Sequence, residues 1–155
     1  MSTITGPSDP DRLMWEMSLG EFLETTVDRN PAKVFIEIAG EEITYRQFQQ
    51  RIEHTAGLFR DLGVSPGDRV CLFLPNCPEF LYCWFGLSLF GAISVPVNTA
   101  YKREEMAYIL NDAGAKGLVT HESLLPVAEA AADLVPSIEI KLLVGSVPDA
   151  DPSWR

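Results

Sequence analysis

The sequence predicts an α/β fold, a parallel sheet with helices on both faces and an N-terminal β-hairpin, and three observations carry that expectation. Strand-like apolar runs begin near residues 69, 92, 116 and 138, and the segments between them space their apolar residues as helices do. The first run, Arg69-Val70-Cys71-Leu72-Phe73-Leu74, is apolar on both faces of its pleat, as a strand covered from both sides should be. Ahead of it, Val34-Phe35-Ile36-Glu37-Ile38 and Glu42-Ile43-Thr44-Tyr45 flank Ala39-Gly40-Glu41, the pattern of an antiparallel hairpin.

Composition sets the frame for these elements. The chain has 155 residues, 46% hydrophobic and 22% charged, enough to bury a sizeable core. A formal net charge of −10 argues against a protein that works by neutralising nucleic-acid phosphates or anionic head groups, so an anionic ligand needs a local site. The start, MSTITGPSDPDRLMWEM, lacks the basic residues and continuous apolar core of a secretory signal, which gives the expectation of a cytoplasmic protein. Its Ser, Pro, Gly and Asp content predicts a loose leader over residues 1–17, followed by the folded unit over 18–144 and a polar tail over 145–155.

In chain order, Ser18 and Glu21 have capping-box spacing, and Leu19, Phe22, Leu23 and Val27 fall on one helical face until Asn30-Pro31. After the hairpin, Thr44 and Gln47 repeat the capping box. They open a long helix whose Tyr45, Phe48, Ile52, Ala56, Phe59 and Leu62 form one stripe ended by Gly63. Val64-Ser65-Pro66-Gly67-Asp68 turns the chain into the first parallel strand. Asn76, three residues before Glu79, predicts the next helix start. Further on, Met106, Ile109, Leu110 and Ala113 mark a helix stopped by Gly114, and Lys116-Gly117-Leu118-Val119-Thr120 a strand. Leu124, Val127, Ala128 and Ala131 mark a short helix before Pro136, and residues 138–144 a last strand, expected to be an uncovered sheet edge.

The segment FLYCWFGLSLFGAISVPVNTAY, residues 80–101, carries no charge and raises the question of a membrane span. Gly91 and the β-branched, proline-containing Ala92-Ile93-Ser94-Val95-Pro96-Val97 stop any helix that starts near Pro78. Phe80 to Phe90 gives a helix of roughly 16 Å, about half of a hydrocarbon core. The segment therefore reads as a buried helix, a glycine turn and a buried strand, with Phe80, Trp84, Leu87 and Phe90 expected inside.

Spacing alone reveals no catalytic constellation. Cys71, Cys77 and Cys83 match no zinc or redox motif; Cys71 and Cys83 read as small buried hydrophobes, and Cys77 as the one in a loop where a thiol could be exposed. With only His54 and His121 beside them, no metal site is expected. There is no G-x-x-x-x-G-K-[ST] and no G-x-G-x-x-G after a strand, and the lysine of Gly114-Ala115-Lys116-Gly117 opens a strand instead of a helix. Ser88 narrowly misses a nucleophile elbow and reads as a packing residue within a helix, while the adjacent Glu104 and Glu105 point apart.

Resemblance carries the reading further. Ile43-Thr44-Tyr45-Arg46-Gln47-Phe48, Gly67-Asp68-Arg69-Val70 and Gly91-Ala92-Ile93-Ser94-Val95-Pro96-Val97-Asn98 stand in the order and spacing characteristic of adenylate-forming enzymes. Pro75-Asn76 before Pro78-Glu79-Phe80, and Leu110-Asn111-Asp112-Ala113 before Leu118-Val119-Thr120, are similar too. Residues 19–144 thus resemble the N-terminal subdomain of the acyl-CoA synthetase, luciferase and peptide-synthetase adenylation superfamily. Asn98, where peptide-synthetase domains usually carry Asp, tilts the likeness toward acyl-CoA ligases.

The resemblance implies a parent enzyme that uses ATP, magnesium and CoA to adenylate a carboxylate and then form its thioester. The sequence stops before the family's Ser/Thr/Gly-rich phosphate loop and catalytic lysine, so no catalytic residue and no bound cofactor are expected of this chain itself. Its expected partners are the remainder of such an enzyme, or a second copy through exposed apolar surface. The family layout places Asn98, Thr99 and Ala100 beside the channel for the CoA arm; the alternative for Asn98 is a cap on the turn into the next helix. The alternative for the whole chain is a non-catalytic interaction module built on the same fold.

Overall fold

The computed structural model describes residues 17–38, 40–147 and 151–155. The expected leader lies outside the described residues except for Met17. Helix α1 (Leu19–Arg29) is followed by strands β1 (Val34–Ile38) and β2 (Glu41–Thr44), helix α2 (Tyr45–Asp61) and strand β3 (Arg69–Phe73). Then come α3 (Pro78–Ser88), β4 (Ile93–Pro96), α4 (Arg103–Asp112), β5 (Gly117–His121), a 3-10 turn (Glu122–Leu124), α5 (Leu125–Ala132) and β6 (Ile140–Val144). β1 and β2 pair antiparallel as a separate two-stranded sheet, and the four later strands form a parallel sheet in the order β4-β3-β5-β6.

Both expected capping boxes form. The Ser18 hydroxyl accepts from the Glu21 N–H while Glu21 accepts from the Ser18 N–H, and Thr44 and Gln47 repeat the arrangement at α2. Helix α3 departs from expectation: its N-cap is Cys77, with no side-chain acceptor and Pro78 as the first helical residue, so Asn76 does not cap it.

Alternation along β3 builds the two halves of the core. Cys71 and Phe73 pack with Met106 and Leu110 of α4 and Ala128 and Ala131 of α5. Val70 and Leu72 face the other way, onto Phe59 of α2 and Cys83 and Leu87 of α3. A third cluster joins Leu23 and Val27 of α1, Ile43 of the hairpin, and Phe48, Ile52 and Tyr82. Helices therefore cover both faces, as the double-sided strand required.

Three sequence expectations are corrected. Trp84 is 42% exposed, and of the residues expected inside α3 and just after it, Leu87 alone is fully buried. The cause is Gly86: a Cβ there would lie 3.2 Å from the Ala56 nitrogen and the Ile52 oxygen, so α3 presses its Tyr82–Gly86 side onto α2 and turns Trp84 outward. The strand after Gly91 is not buried either, because β4 is an edge strand and leaves Ile93 49% exposed. Finally, the edge of β6 is not bare. The Leu143 N–H donates to the Arg155 carbonyl at 2.8 Å and the Arg155 N–H to Lys141 at 3.2 Å, while Trp154 enters the core cluster under α4 and α5.

No helix among the described residues is long and apolar enough to cross a membrane. Helix α3 has 11 residues, and Gly91, at a φ of 79° that side-chain-bearing residues rarely adopt, ends the apolar run before β4.

Candidate functional site

In open parallel sheets, ligands bind beyond the carboxyl ends of the strands, near the point where strand order reverses. Here the chain leaves β3 for β4 on one side and returns past it to β5 on the other, so the reversal lies between β3 and β5. The buried Thr120 hydroxyl ties these two strand ends together, donating to the Phe73 carbonyl at 3.2 Å. Beyond them lie the Leu74-Pro75-Asn76-Cys77 loop and the 3-10 turn that starts at Glu122, and beyond neighbouring β4 lies the Asn98-Thr99-Ala100 turn.

That turn is built by Asn98. Its Oδ1 accepts from the Ala100 N–H at 3.0 Å and its carbonyl from the Tyr101 N–H at 3.1 Å, holding three exposed residues at the sheet's carboxyl edge. The next helix takes Lys102 as its N-cap, where Glu105 accepts from the Lys102 N–H at 2.9 Å, so Asn98 shapes the turn and does not cap α4. Glu104 instead faces Arg103 at 4.0 Å, so the two adjacent carboxylates serve separate contacts.

The remaining candidates are structural in their setting. Burial pushes the thiols of Cys71 and Cys83 up to about 12, and burial followed by the nearby Glu79 raises half-buried Cys77 as well, so none is poised as a thiolate. Ser88 donates to the Trp84 carbonyl at 2.9 Å, one turn back in its own helix. Lys116 is tied to Asp68 and the Gly63 carbonyl at the opposite end of the sheet. No group of three or more His, Cys, Asp and Glu side chains among the described residues could hold a metal ion.

The contact between His121 and Ser123 was not legible from sequence. The His121 Nδ1 lies 2.8 Å from Ser123 Oγ and accepts from the Ser123 N–H at 3.1 Å, so the ring folds over the loop at the end of β5. The available signal was a strand ending in Thr-His and followed by Glu-Ser, which has meaning only once β5 is known to lie beside β3.

Residues 23–154 match the AMP-binding enzyme family. The chain is 42% identical over 117 residues to a crotonobetaine/carnitine–CoA ligase from Salmonella arizonae, covering 74% of this chain and 22% of that protein. It is 49% identical over 83 residues to the corresponding ligase of Escherichia coli, covering 54% and 16%. The chain thus spans about a fifth of these relatives' length. Its fold superposes on an anthranilate CoA ligase in complex with anthranoyl-AMP with a TM-score of 0.80, at 29% identity, over 86% of this chain and 26% of that one. It also superposes on the N-terminal domain of FACL13 from Mycobacterium tuberculosis with a TM-score of 0.75, at 26% identity, over 84% and 34%.

Proposed function

Because the chain belongs to the AMP-binding enzyme family, we propose that it forms the N-terminal, sheet-building part of an ATP-dependent acid–thiol ligase acting on a small carboxylic acid. In that reaction the carboxylate displaces pyrophosphate from ATP, and the CoA thiol then displaces AMP to leave the thioester. The observation that carries this reading is that relatives similar in sequence and neighbours similar in fold are alike CoA ligases. ATP, magnesium and the reacting groups are assigned to parts of such an enzyme outside the aligned segment, since this chain offers no glycine-rich phosphate loop. A cytoplasmic setting fits an enzyme that draws on ATP and CoA.

Within that role the Asn98-Thr99-Ala100 turn is assigned to the CoA arm. It stands exposed at the carboxyl edge of the sheet, and its small Ala100 lets a ligand approach the backbone. Asn98 holds the turn and Thr99 offers a hydroxyl.

The test is a chimera in which this chain replaces the aligned segment of the Escherichia coli ligase, read by two assays. Ala100→Trp in the chimera is expected to raise KM for CoA while ATP–pyrophosphate exchange, which needs no CoA, continues unchanged. Equal loss of both activities, or an unchanged KM, overturns the assignment of the turn.

A further inference from the structure

Helix α3 carries apolar side chains almost all round, and this chain covers only one side of it. Its single charged residue is Glu79, in the first turn. Tyr82, Cys83, Gly86 and Leu87 turn inward onto α2 and the sheet. Leu81, Trp84, Phe85 and Ser88 recur at helical spacing on the outer side, where none of them is buried and none is charged. Trp84 stands between Phe80 and Phe85, with ring centres at 6.2 and 5.9 Å, so an aromatic row joins the cluster around β3 to the one under α1. Ser88 turns its hydroxyl back to the Trp84 carbonyl and adds no free donor to this face.

We propose that the outer face of α3 is a docking surface, covered in the full-length ligase by the part of that enzyme outside the segment matched here; the inference rests on the ligase reading above. A helix that is apolar all round belongs in an interior, yet Trp84 is 42% exposed in this chain. The relatives hold the length that can cover it. This chain aligns with 22% of the Salmonella arizonae ligase and 16% of the Escherichia coli one, so about four-fifths of such an enzyme lies outside it. Charge selects the face. The outer side of α4 exposes Arg103, Glu104, Glu105 and Asp112, and that of α2 exposes Arg46, Arg51, Glu53 and Arg60. Covering either would strip water from several charges, whereas covering α3 removes apolar surface from water.

The same residues define what can sit there. Leu81 and Phe85 have no polar side-chain atom, and the Trp84 indole N–H is the one donor on the stripe left to be met. The covering layer is therefore apolar, with a single acceptor for the indole. A second copy of this chain fits less well, because the contact would bring together two chains of net charge −10. An anionic lipid surface is disfavoured by the same charge.

The test compares a thiol on α3 with one on α4, in this chain alone and in the Escherichia coli chimera described above. Trp84→Cys and Tyr108→Cys, both at exposed positions, are treated with a maleimide, and the modified peptides are quantified by mass spectrometry, which separates them from Cys71, Cys77 and Cys83. In the chain alone both introduced thiols are expected to react readily at every protein concentration. In the chimera the thiol on α3 is expected to react slower by roughly tenfold or more, as a site reached only by local opening does, while the one on α4 is unchanged. Equal reactivity at position 84 in the two proteins overturns the proposal, and so does equal protection of position 108. Protection at position 84 in the chain alone that disappears on dilution assigns the face to a second copy and overturns it without any need for the chimera to fold. ATP–pyrophosphate exchange by the chimera is read separately. An active chimera with a reactive thiol on α3 refutes the docking surface alone, and a folded but inactive one with a protected thiol upholds the docking surface and refutes the ligase role alone.

Discussion

Lys116 Nζ lies 2.7 Å from Asp68 Oδ2 and 2.9 Å from the Gly63 carbonyl, joining the segment before β5 to the turns on either side of Val64-Ser65-Pro66. Asp68 also accepts from the Ser65 N–H at 2.8 Å, so one carboxylate closes the turn into β3 and fixes the entry of the neighbouring strand. Both side chains are largely covered, at 29% and 25% exposure.

The hydrogen bond from Lys116, followed by that from Ser65, holds the Asp68 carboxyl below its ordinary value. A depressed carboxyl stabilises the fold above its unfolded-state value, and that contribution is lost as pH falls through the folded value. Thermal melts between pH 7 and pH 2 should show acid destabilisation, part of which disappears in Lys116→Met. At neutral pH that variant should cost roughly 1 kcal/mol, the scale of one partly exposed ion pair with its hydrogen bonds. An acid profile identical in both proteins would remove Asp68 from the account.

Trp84 and Leu87 occupy one helix with opposite fates. Leu87→Ala should cost about 2–5 kcal/mol as a core truncation, whereas Trp84→Ala, at an exposed site, should cost under about 1 kcal/mol. Gly86→Ala should cost about 1–3 kcal/mol, because its methyl would meet the α2 backbone. Denaturant melts of the three variants check the ranking.

Trp154 fills the core cluster and its backbone lies beside Lys141, whose ammonium sits 5.8 Å from the indole centre. Trp154→Ala should destabilise by about 3 kcal/mol or more. It should also open the β6 edge, so light scattering is expected to show concentration-dependent association in the variant beyond that of the parent chain. An unchanged melt and unchanged scattering would mean the tail is not part of the folded unit.

Much of the fold was legible because local rules and tertiary demands agree. Ser18–Glu21 and Thr44–Gln47 cap the helices they were expected to cap, and the two-sided apolar run of β3 announced covered faces. What failed to read has a common cause: α3 is apolar almost all round, so periodicity assigns it no inward face, and only the contact of Gly86 with Ile52 and Ala56 decides which side turns in. Sheet order is equally invisible in a β-branched run, which is why β4 read as interior. The pairing of Trp154 with β6 spans a turn-rich segment whose composition suggests solvent. The Asn98 turn was legible by resemblance.

The central claim is that this chain supplies the structural part of an acid–thiol ligase, and the chimera with the Escherichia coli relative tests it most directly. ATP–pyrophosphate exchange dependent on the acid, followed by CoA thioester formation, is measured on the purified, folded chimera. The account expects both activities at levels comparable to the unaltered ligase. A chimera that folds cooperatively yet performs neither would show that the shared fold does not carry the shared role, and would contradict it.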